Sequence, residues 1–286
     1  MAKILLTGIA TLDIINHVTH YPNEDDEVRA LTQDSRRGGN AANTAAILSQ
    51  YLHSCTLACT LADDSSGQFI LNDLRKRDIK FHPSLMIPGA TPTSYISLNQ
   101  SNGSRTIVHY RDLAELTFEQ FQSLDLSGFD WFHFEGRNIE HTALMMQHVT
   151  GFNKPISLEA EKNRPGLQNL FPLADVILFS KPYARHNGFD HPESFLINIA
   201  QGLADKILIC SWGEQGAWGL KGSPVLHSPA FKPHKIIDTI GAGDSFNAGI
   251  IHGLLEQQNL SEALQTACRL AGKKCGQYGF EQLVEQ

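Results

Sequence analysis

Six short stretches of the chain are apolar almost throughout: 3–9 (KILLTGI), 55–61 (CTLACTL), 129–135 (FDWFHFE), 155–161 (PISLEAE), 175–180 (DVILFS) and 206–212 (KILICSW). Strands that read this way are buried on both faces. Between them, residues 40–52, 67–77 and 193–204 carry apolar positions at helical spacing, and helices over about 242–257 and 261–276 close the chain. Strands alternating with helices predict an α/β fold, a mostly parallel central sheet covered by helices on both faces. No repeat or linker divides residues 1–286, so a single domain is expected.

Two stretches break the alternation. Residues 27–36 (EVRALTQDSR) alternate polar and apolar without a solid block, and 92–111 (PTSYISLNQSNGSRTIVHYR) reads as a hairpin turning at Asn102-Gly103. Half-polar strands do not suit a buried sheet, so a small separate β-sheet is expected, its strands within about 14–36 and 92–111. A turn at Asn102-Gly103 puts Ile96, Leu98, Ile107 and His109 on one face. That face is expected to pack against a second copy, giving a homodimer through a lid.

Charge narrows the function. The 286 residues carry a formal net charge of -7 and no basic run, which excludes a nucleic-acid or anionic-membrane surface. The 13 histidines and 5 cysteines show no His-x-x-x-His or Cys-x-x-Cys spacing, so a structural zinc site is not expected. Cysteines at an odd count in apolar surroundings read as reduced thiols. The N-terminal stretch lacks a signal-peptide pattern and no segment approaches a membrane span, so a cytoplasmic protein is expected.

The most informative stretch is IIDTIGAGDSFNAGIIHGLL, residues 236–255. Gly241-Ala242-Gly243 opens a helix, leaving the backbone N–H groups of Ala242, Gly243 and Asp244 bare for an anion. Near the N-terminus, RRGGNAANTAAIL (36–48) sets Asn40 and Asn43 three apart behind the glycine pair ending at Gly39. Such amides suit a neutral polyol. Asp13 follows the first strand, and Glu135, Arg137 and Asn138 end another, where ligands of open α/β sheets bind. Taken singly, Asp13 reads as a loop carboxylate and Arg105, beside the hairpin turn, as an exposed strand arginine. Together these residues suggest phosphoryl transfer to an alcohol, with Asp244 as base and the bare N–H groups stabilising the moving charge.

RRGGNAANTA and DTIGAGDSFNAG resemble the two signatures of the ribokinase-like (PfkB-type) carbohydrate kinases. YPNEDDEVRAL, SNGSRTIVHY, FHFEGRN, LFSKPYARHNGF and AGKKCGQYGF are similar to its ketohexokinase branch, which phosphorylates fructose on the 1-hydroxyl. The resemblance runs from about residue 4 to 281. It implies that Asp13, Gly39, Asn40, Asn43 and Glu135 bind the sugar, with Asp244 as base. It makes Gly241, Ala242 and Gly243 the anion hole, with Arg105 on phosphate. Trp212, Gly213 and Glu214 would lie on the ATP side, and Gly243, Cys275 and Gly276 near adenine or ribose. Main-chain oxygens near Asp238 would hold a monovalent cation such as K+, and Mg2+ would accompany ATP. Asp25 of one lid would reach the partner's sugar site. The family's magnesium-organising Asn-x-x-Glu is replaced by Ser180-Lys181-Pro182-Tyr183-Ala184, which leaves the Mg2+ ligands unassigned and frees Lys181 for phosphates. The competing readings are a family kinase for another sugar, a sugar phosphate or a nucleoside, and an inactive sugar or nucleotide sensor. No further basic cluster is expected near Asn40 and Asn43, which speaks against a sugar phosphate.

Overall fold

The apolar runs lie side by side because no single-faced environment would bury them. In the computed structural model, which describes residues 1–82 and 85–284, the described residues form a central nine-stranded sheet. Its middle is β1 (Lys3–Thr7), flanked by β4 (Ser54–Ala58) and β6 (Lys80–Phe81) on one side. On the other follow β10 (Trp131–Glu135), β11 (Ile156–Ala160), β12 (Val176–Ser180) and β13 (Ile207–Ser211). These seven run parallel. Two short antiparallel strands, β14 (Ala217–Leu220) and β15 (Leu226–Ser228), extend the edge; their brevity and glycines hid them from the pattern reading.

Helices cover both faces. α1 (Asn40–Leu48), α2 (Ser65–Lys76), α7 (Ala242–Leu255) and α8 (Leu260–Cys275) supply one core, with Ile47, Ile70, Ile250 and Leu264 buried in it. α3 (Phe118–Gln122), α4 (Ile139–Thr150), α5 (Lys181–His186) and α6 (Pro192–Ile199) supply the other, through Phe121, Met146, Tyr183 and Phe195. Among the described residues, no helix is long and apolar enough to cross a membrane. The chain runs outward from β1 in opposite directions to β4 and β10. A crevice therefore opens at their carboxyl ends, the switch point where such sheets bind ligands.

A separate four-stranded sheet stands over that crevice: β3 (Thr32–Gly38), β2 (Thr11–Val18), β8 (Thr93–Asn99) and β9 (Arg105–Tyr110). A two-stranded piece, β5 (Leu61–Ala62) with β7 (Met86–Ile87), completes the strands. Residues 27–31 stay outside the strands. The hairpin turn is longer than a two-residue Asn-Gly turn: Gly103 donates its N–H to the Asn99 carbonyl at 2.8 Å, and Leu98 pairs with Arg105. Asn99 drives this, its Oδ1 accepting from the Ser101 N–H and hydroxyl.

The lid face expected to meet another copy is turned inward. Ile96 and Leu98 are buried with Ile15, and Ile240 packs against them, because the crevice below offers a wall nearer than any partner. Apolar surface instead remains on the outer face, where Ile14, Tyr95 and Val108 align across three strands. Tyr95, Val108 and Tyr110 are more than half exposed there, at 51%, 66% and 58%.

The contact of α7 with α8 fixes the height of α7's first turn. A side chain on Gly249 would start 2.6 Å from Ala267 Cα. Gly249→Val is expected to lower stability by about 1–3 kcal/mol or more through overpacking, read as a fall in the thermal midpoint. A midpoint equal to that of the wild type would show that the two helices can part there.

Candidate active site

The two ends of the chain supply the crevice. α8 begins with a capping box, Asn259 Oδ1 accepting from Glu262 N–H while Glu262 Oε2 accepts from Asn259 N–H. α7 has no side-chain cap. Gly241 enters it at φ 78°, a left-handed conformation that glycine adopts without strain, and a Cβ here would collide with the Phe280 ring. Ala242 N–H makes a long bond to Thr239 O at 3.4 Å, and among the described residues the Gly243 and Asp244 N–H groups have no acceptor. A Cβ on Gly243 would meet nothing within 4 Å. The fold does not require that glycine, and its place is open space beside the cavity.

Asp244 lies in α7's first turn, buried. Asn43 Nδ2 donates to its Oδ2 at 2.7 Å, the partner that an amide within an apolar helix needs. Arg37 Nη1 in turn donates to Asn43 Oδ1 at 2.6 Å, and Asp73 Oδ2 accepts from Arg37 Nε at 2.6 Å. Asn43 is thus held at both ends and acts as a relay more than as a free sugar ligand. Desolvation pushes the Asp244 carboxyl up to about 7; the Asn43 bond and Arg105 oppose the rise, and Glu161 and Glu135 add to it.

The cavity brings Asp244, Gly241 and Gly243 together with Asp13, Gly39, Asn40, Asn43 and Arg105. Asp13 Oδ1 accepts from Thr11 at 2.8 Å, and burial raises its carboxyl above the ordinary aspartate value. Asn40 gives its Nδ2 to Glu159 Oε1 and Glu161 Oε2, each at 3.1 Å, leaving its carbonyl oxygen for a hydroxyl. Arg105, on β9, reaches across to Thr239 Oγ1 at 2.9 Å, so lid and anion turn touch directly.

Other expected residues fall outside the cavity. Glu135 lies beneath it: Oε1 accepts the N–H groups of Ile9 at 3.0 Å and Ala41 at 2.6 Å, fastening the loop after β1 to the start of α1. A buried carboxylate facing two orphan N–H groups is more useful there as an anchor than as a sugar ligand. Asp25 sits exposed in a turn at φ 59°, away from its own chain's cavity lining. Trp212, Gly213, Glu214, Cys275 and Gly276 do not line it either, although Ser211, next to Trp212, does. Trp212 is buried, with Lys181 Nζ 5.6 Å above its ring and Arg185 at 6.0 Å.

Sequence reasoning missed the acidic wall. Glu159 and Glu161 line the cavity from the end of β11. The signal was legible, since Ser157 and Glu159 interrupt an otherwise apolar strand, and a polar residue in a doubly buried strand demands a partner. Glu159 Oε2 has none among the described residues. Burial first, then Asp244, Glu135 and Glu161, drive the Glu159 carboxyl well above the usual range. A divalent cation would relieve that crowding, so Glu159 and Glu161 fit a Mg2+ ion. Arg137 and Lys162 also line the cavity, against the expectation of no further basic groups. Arg137 is balanced by Glu115 through contacts of 2.9 and 2.6 Å.

The structure modifies two further expectations. His53, His252 and Glu256 converge within 4.8 Å although their spacing shows no motif. His53 Nδ1 accepts the Ala2 N–H, so its other nitrogen carries the proton toward His252 Nδ1, 3.1 Å away, and a metal is not favoured. Near Asp238, the oxygens expected to hold K+ are taken by Lys274, whose Nζ lies 2.9 Å from the Asp238 carbonyl oxygen; they do not fit an added cation. The five cysteines are free thiols.

Comparison with known proteins agrees with this geometry. The pfkB family carbohydrate kinase profile matches residues 1–285. The chain is 38% identical to mouse ketohexokinase over 298 aligned positions, covering 99% of each. It is 27% identical to a fructosamine kinase of Bacillus subtilis, covering 85% of this chain and 84% of the relative. The ribokinase of Giardia lamblia superposes with a TM-score of 0.86 at 16% identity, over 100% of this chain and 97% of the other, a likeness of fold. The chain belongs to the PfkB family of carbohydrate kinases and is an ATP-dependent sugar kinase.

Proposed function

We propose that this kinase phosphorylates a ketohexose, fructose at its 1-hydroxyl, with Asp244 as the base. One observation carries the reading: the Asp244 carboxylate shares a polar cavity with Asp13 and Asn40, and Gly243 and Asp244, whose N–H groups have no acceptor among the described residues, line the same space. The 38% identity to mouse ketohexokinase supports the choice of sugar. Among the described lining residues only buried Phe179 and the His109 imidazole carry aromatic rings, and a nucleoside base would find little to stack on.

Asp13 and Asn40 orient the sugar hydroxyls, and Asn43 holds the Asp244 carboxylate toward the one that reacts. The sugar oxygen forms the new bond to the γ-phosphorus as the bond to the β–γ bridging oxygen breaks, ADP leaves, and Asp244 takes the hydroxyl proton. Hydrogen bonds from the turn at 241–243, with Arg105, stabilise charge on the transferring group. ATP would lie along Trp212, Gly213 and Glu214 toward Cys275 and Gly276, with Lys181 near its phosphates. Mg2+ held by Glu159 and Glu161 would neutralise charge on those phosphates.

We also propose a twofold dimer through the outer lid face at Ile14, Tyr95 and Val108, placing Asp25 at the partner's sugar site. The reducing chemistry of five free thiols supports a cytoplasmic setting.

Asp244→Asn keeps the shape and removes the base. Turnover on fructose is expected to fall by about two or more orders of magnitude with sugar binding retained; turnover within a few-fold of the wild type would refute the assignment. The wild-type rate should rise as pH climbs through about 7, where Asp244 ionises. The same group links stability to pH. Folding raises its pKa, so between the ordinary aspartate value and about 7 the folded state holds a proton that the unfolded chain has lost, and stability falls as pH rises. Without ligands, Asp244→Asn should therefore raise the thermal midpoint at pH about 8 and change it little at pH about 4.

Gly243→Val fills the space left for phosphate without disturbing the helix. Calorimetry should still register fructose while phosphorylation disappears, and surviving activity would remove the turn from the reaction.

Asp25→Ala should weaken sugar binding and leave nucleotide affinity intact. Mixed with Asp244→Asn subunits, it should regain activity, because some mixed dimers keep one complete site. Silence from mixtures whose subunits demonstrably exchange would refute action across the interface.

A further inference from the structure

Potassium ions and alkylammonium groups make similar demands on a protein: a few oxygens converging on one positive charge. The segment before the anion turn meets that demand with its own chain. Lys274, in the last turn of α8, is fully buried. Its Nζ lies 2.9 Å from the Asp238 carbonyl oxygen, 3.1 Å from Asp238 Oδ2 and 3.4 Å from the Gln277 carbonyl oxygen. An ammonium has three donors, and three oxygens surround this one.

Those oxygens have little left to offer a second cation. Asp238 Oδ1 accepts from Ile240 N–H at 2.9 Å, and Oδ2 also accepts from Arg36 Nη1 at 3.2 Å and Gly279 N–H at 3.3 Å. The Cys275 carbonyl oxygen is taken by the N–H groups of Ile237 at 2.8 Å and Asp238 at 3.3 Å. An added ion would meet both Lys274 and Arg36 at close range, with like-charge repulsion strengthened by burial. The ammonium bridges α8 to residue 238, and three residues later Gly241 opens the anion turn. Its grip therefore sets where the bare N–H groups point.

We propose that the Lys274 ammonium is a tethered replacement for a monovalent cation, holding the Asp238 segment and the turn behind it so that the enzyme works without K+. Lys274 is a positioning residue; it does not line the cavity. The proposal rests on the turn at 241–243 being the phosphoryl cradle, and part of its test reads cation occupancy without using catalysis.

Wild-type enzyme is assayed with the Tris salt of ATP, Mg2+ and tetramethylammonium chloride, then with KCl at equal ionic strength. The expected result is one rate in both, and a thermal midpoint that does not rise with K+. Lys274→Met keeps the stem and removes the charge; in K+-free buffer its rate should fall on the order of 100-fold, the loss that follows a small misplacement of reacting groups. Lys274→Ala leaves room for an ion, so K+ or NH4+ should raise both its midpoint and its rate, with neither ion rescuing Lys274→Met. The proposal is overturned if the wild type needs K+ for turnover, or if its midpoint rises specifically with K+. Full K+-free activity in either variant overturns it too. If both variants fail to fold, the two wild-type measurements still decide. Should Gly243→Val remain active while the K+ results hold, the cradle is wrong and the tethered cation stands.

Discussion

Withdrawing Asp244 from water is the constraint around which the molecule is arranged. An exposed aspartate is too weak a base to take a proton from an alcohol readily. Here burial and nearby glutamates push its carboxyl up to about 7, which suits the role of base proposed for it, since a general base works best near the working pH. The cost is a carboxylate that the fold would rather keep protonated. A chain of contacts holds it in place: Asn43 on Asp244, Arg37 on Asn43, and Asp73 on Arg37, with Asp73 itself held by Arg77. Asn43 and Arg37 are buried and only Asp73 is partly exposed, so each fixes the geometry of the next. The positions of β3, α1 and α2 follow from the need to bring these three side chains to one carboxylate.

Much of this plan could be read along the chain, and the parts that could not share a cause. Strands buried on both faces announce themselves as solid apolar runs, so the central parallel strands were legible. The bare helix start at Gly241–Gly243 was legible too, since glycines before an uncapped helix leave its first N–H groups open. What stayed hidden depends on contacts far apart in sequence. Glu135 ends an apolar strand and looked like a ligand, but its nearest donors are backbone groups of Ile9 and Ala41, 126 and 94 residues away. The inward turn of Ile96 and Leu98 was hidden for the same reason: periodicity shows which residues share a face, and only the fold shows what that face meets. Glu159 is the exception, a polar residue in a buried strand whose meaning was available and passed over.

The lid has two characters on its two sides. Its inner side joins Ile15, Ile96 and Leu98 to Ile240, next to the anion turn, and Arg105 grips Thr239. The small sheet is thus fastened directly to the segment that leads into the turn at Gly241. Its outer side carries Ile14, Tyr95 and Val108 in register, with Tyr110 also exposed on β9. Exposed rows of that kind rarely persist on monomers.

The prop beneath Gly241 has a consequence for how the protein is made. Phe280 packs against that glycine, and its carbonyl oxygen is held by Gln50 Nε2 at 2.7 Å. Gln50 Oε1 also accepts the Leu283 N–H at 2.9 Å, tying the end of the chain to the helical segment that follows α1. A ribosome delivers Asp13, Asn40 and Asn43 long before Phe280 and Leu283. The nascent chain can assemble much of the central sheet before Phe280 arrives to back the turn at Gly241. A chain cut before Phe280 would keep Asp13, Asn40 and Asn43 and lose the ring that backs Gly241, so early and late parts of one crevice would fail separately.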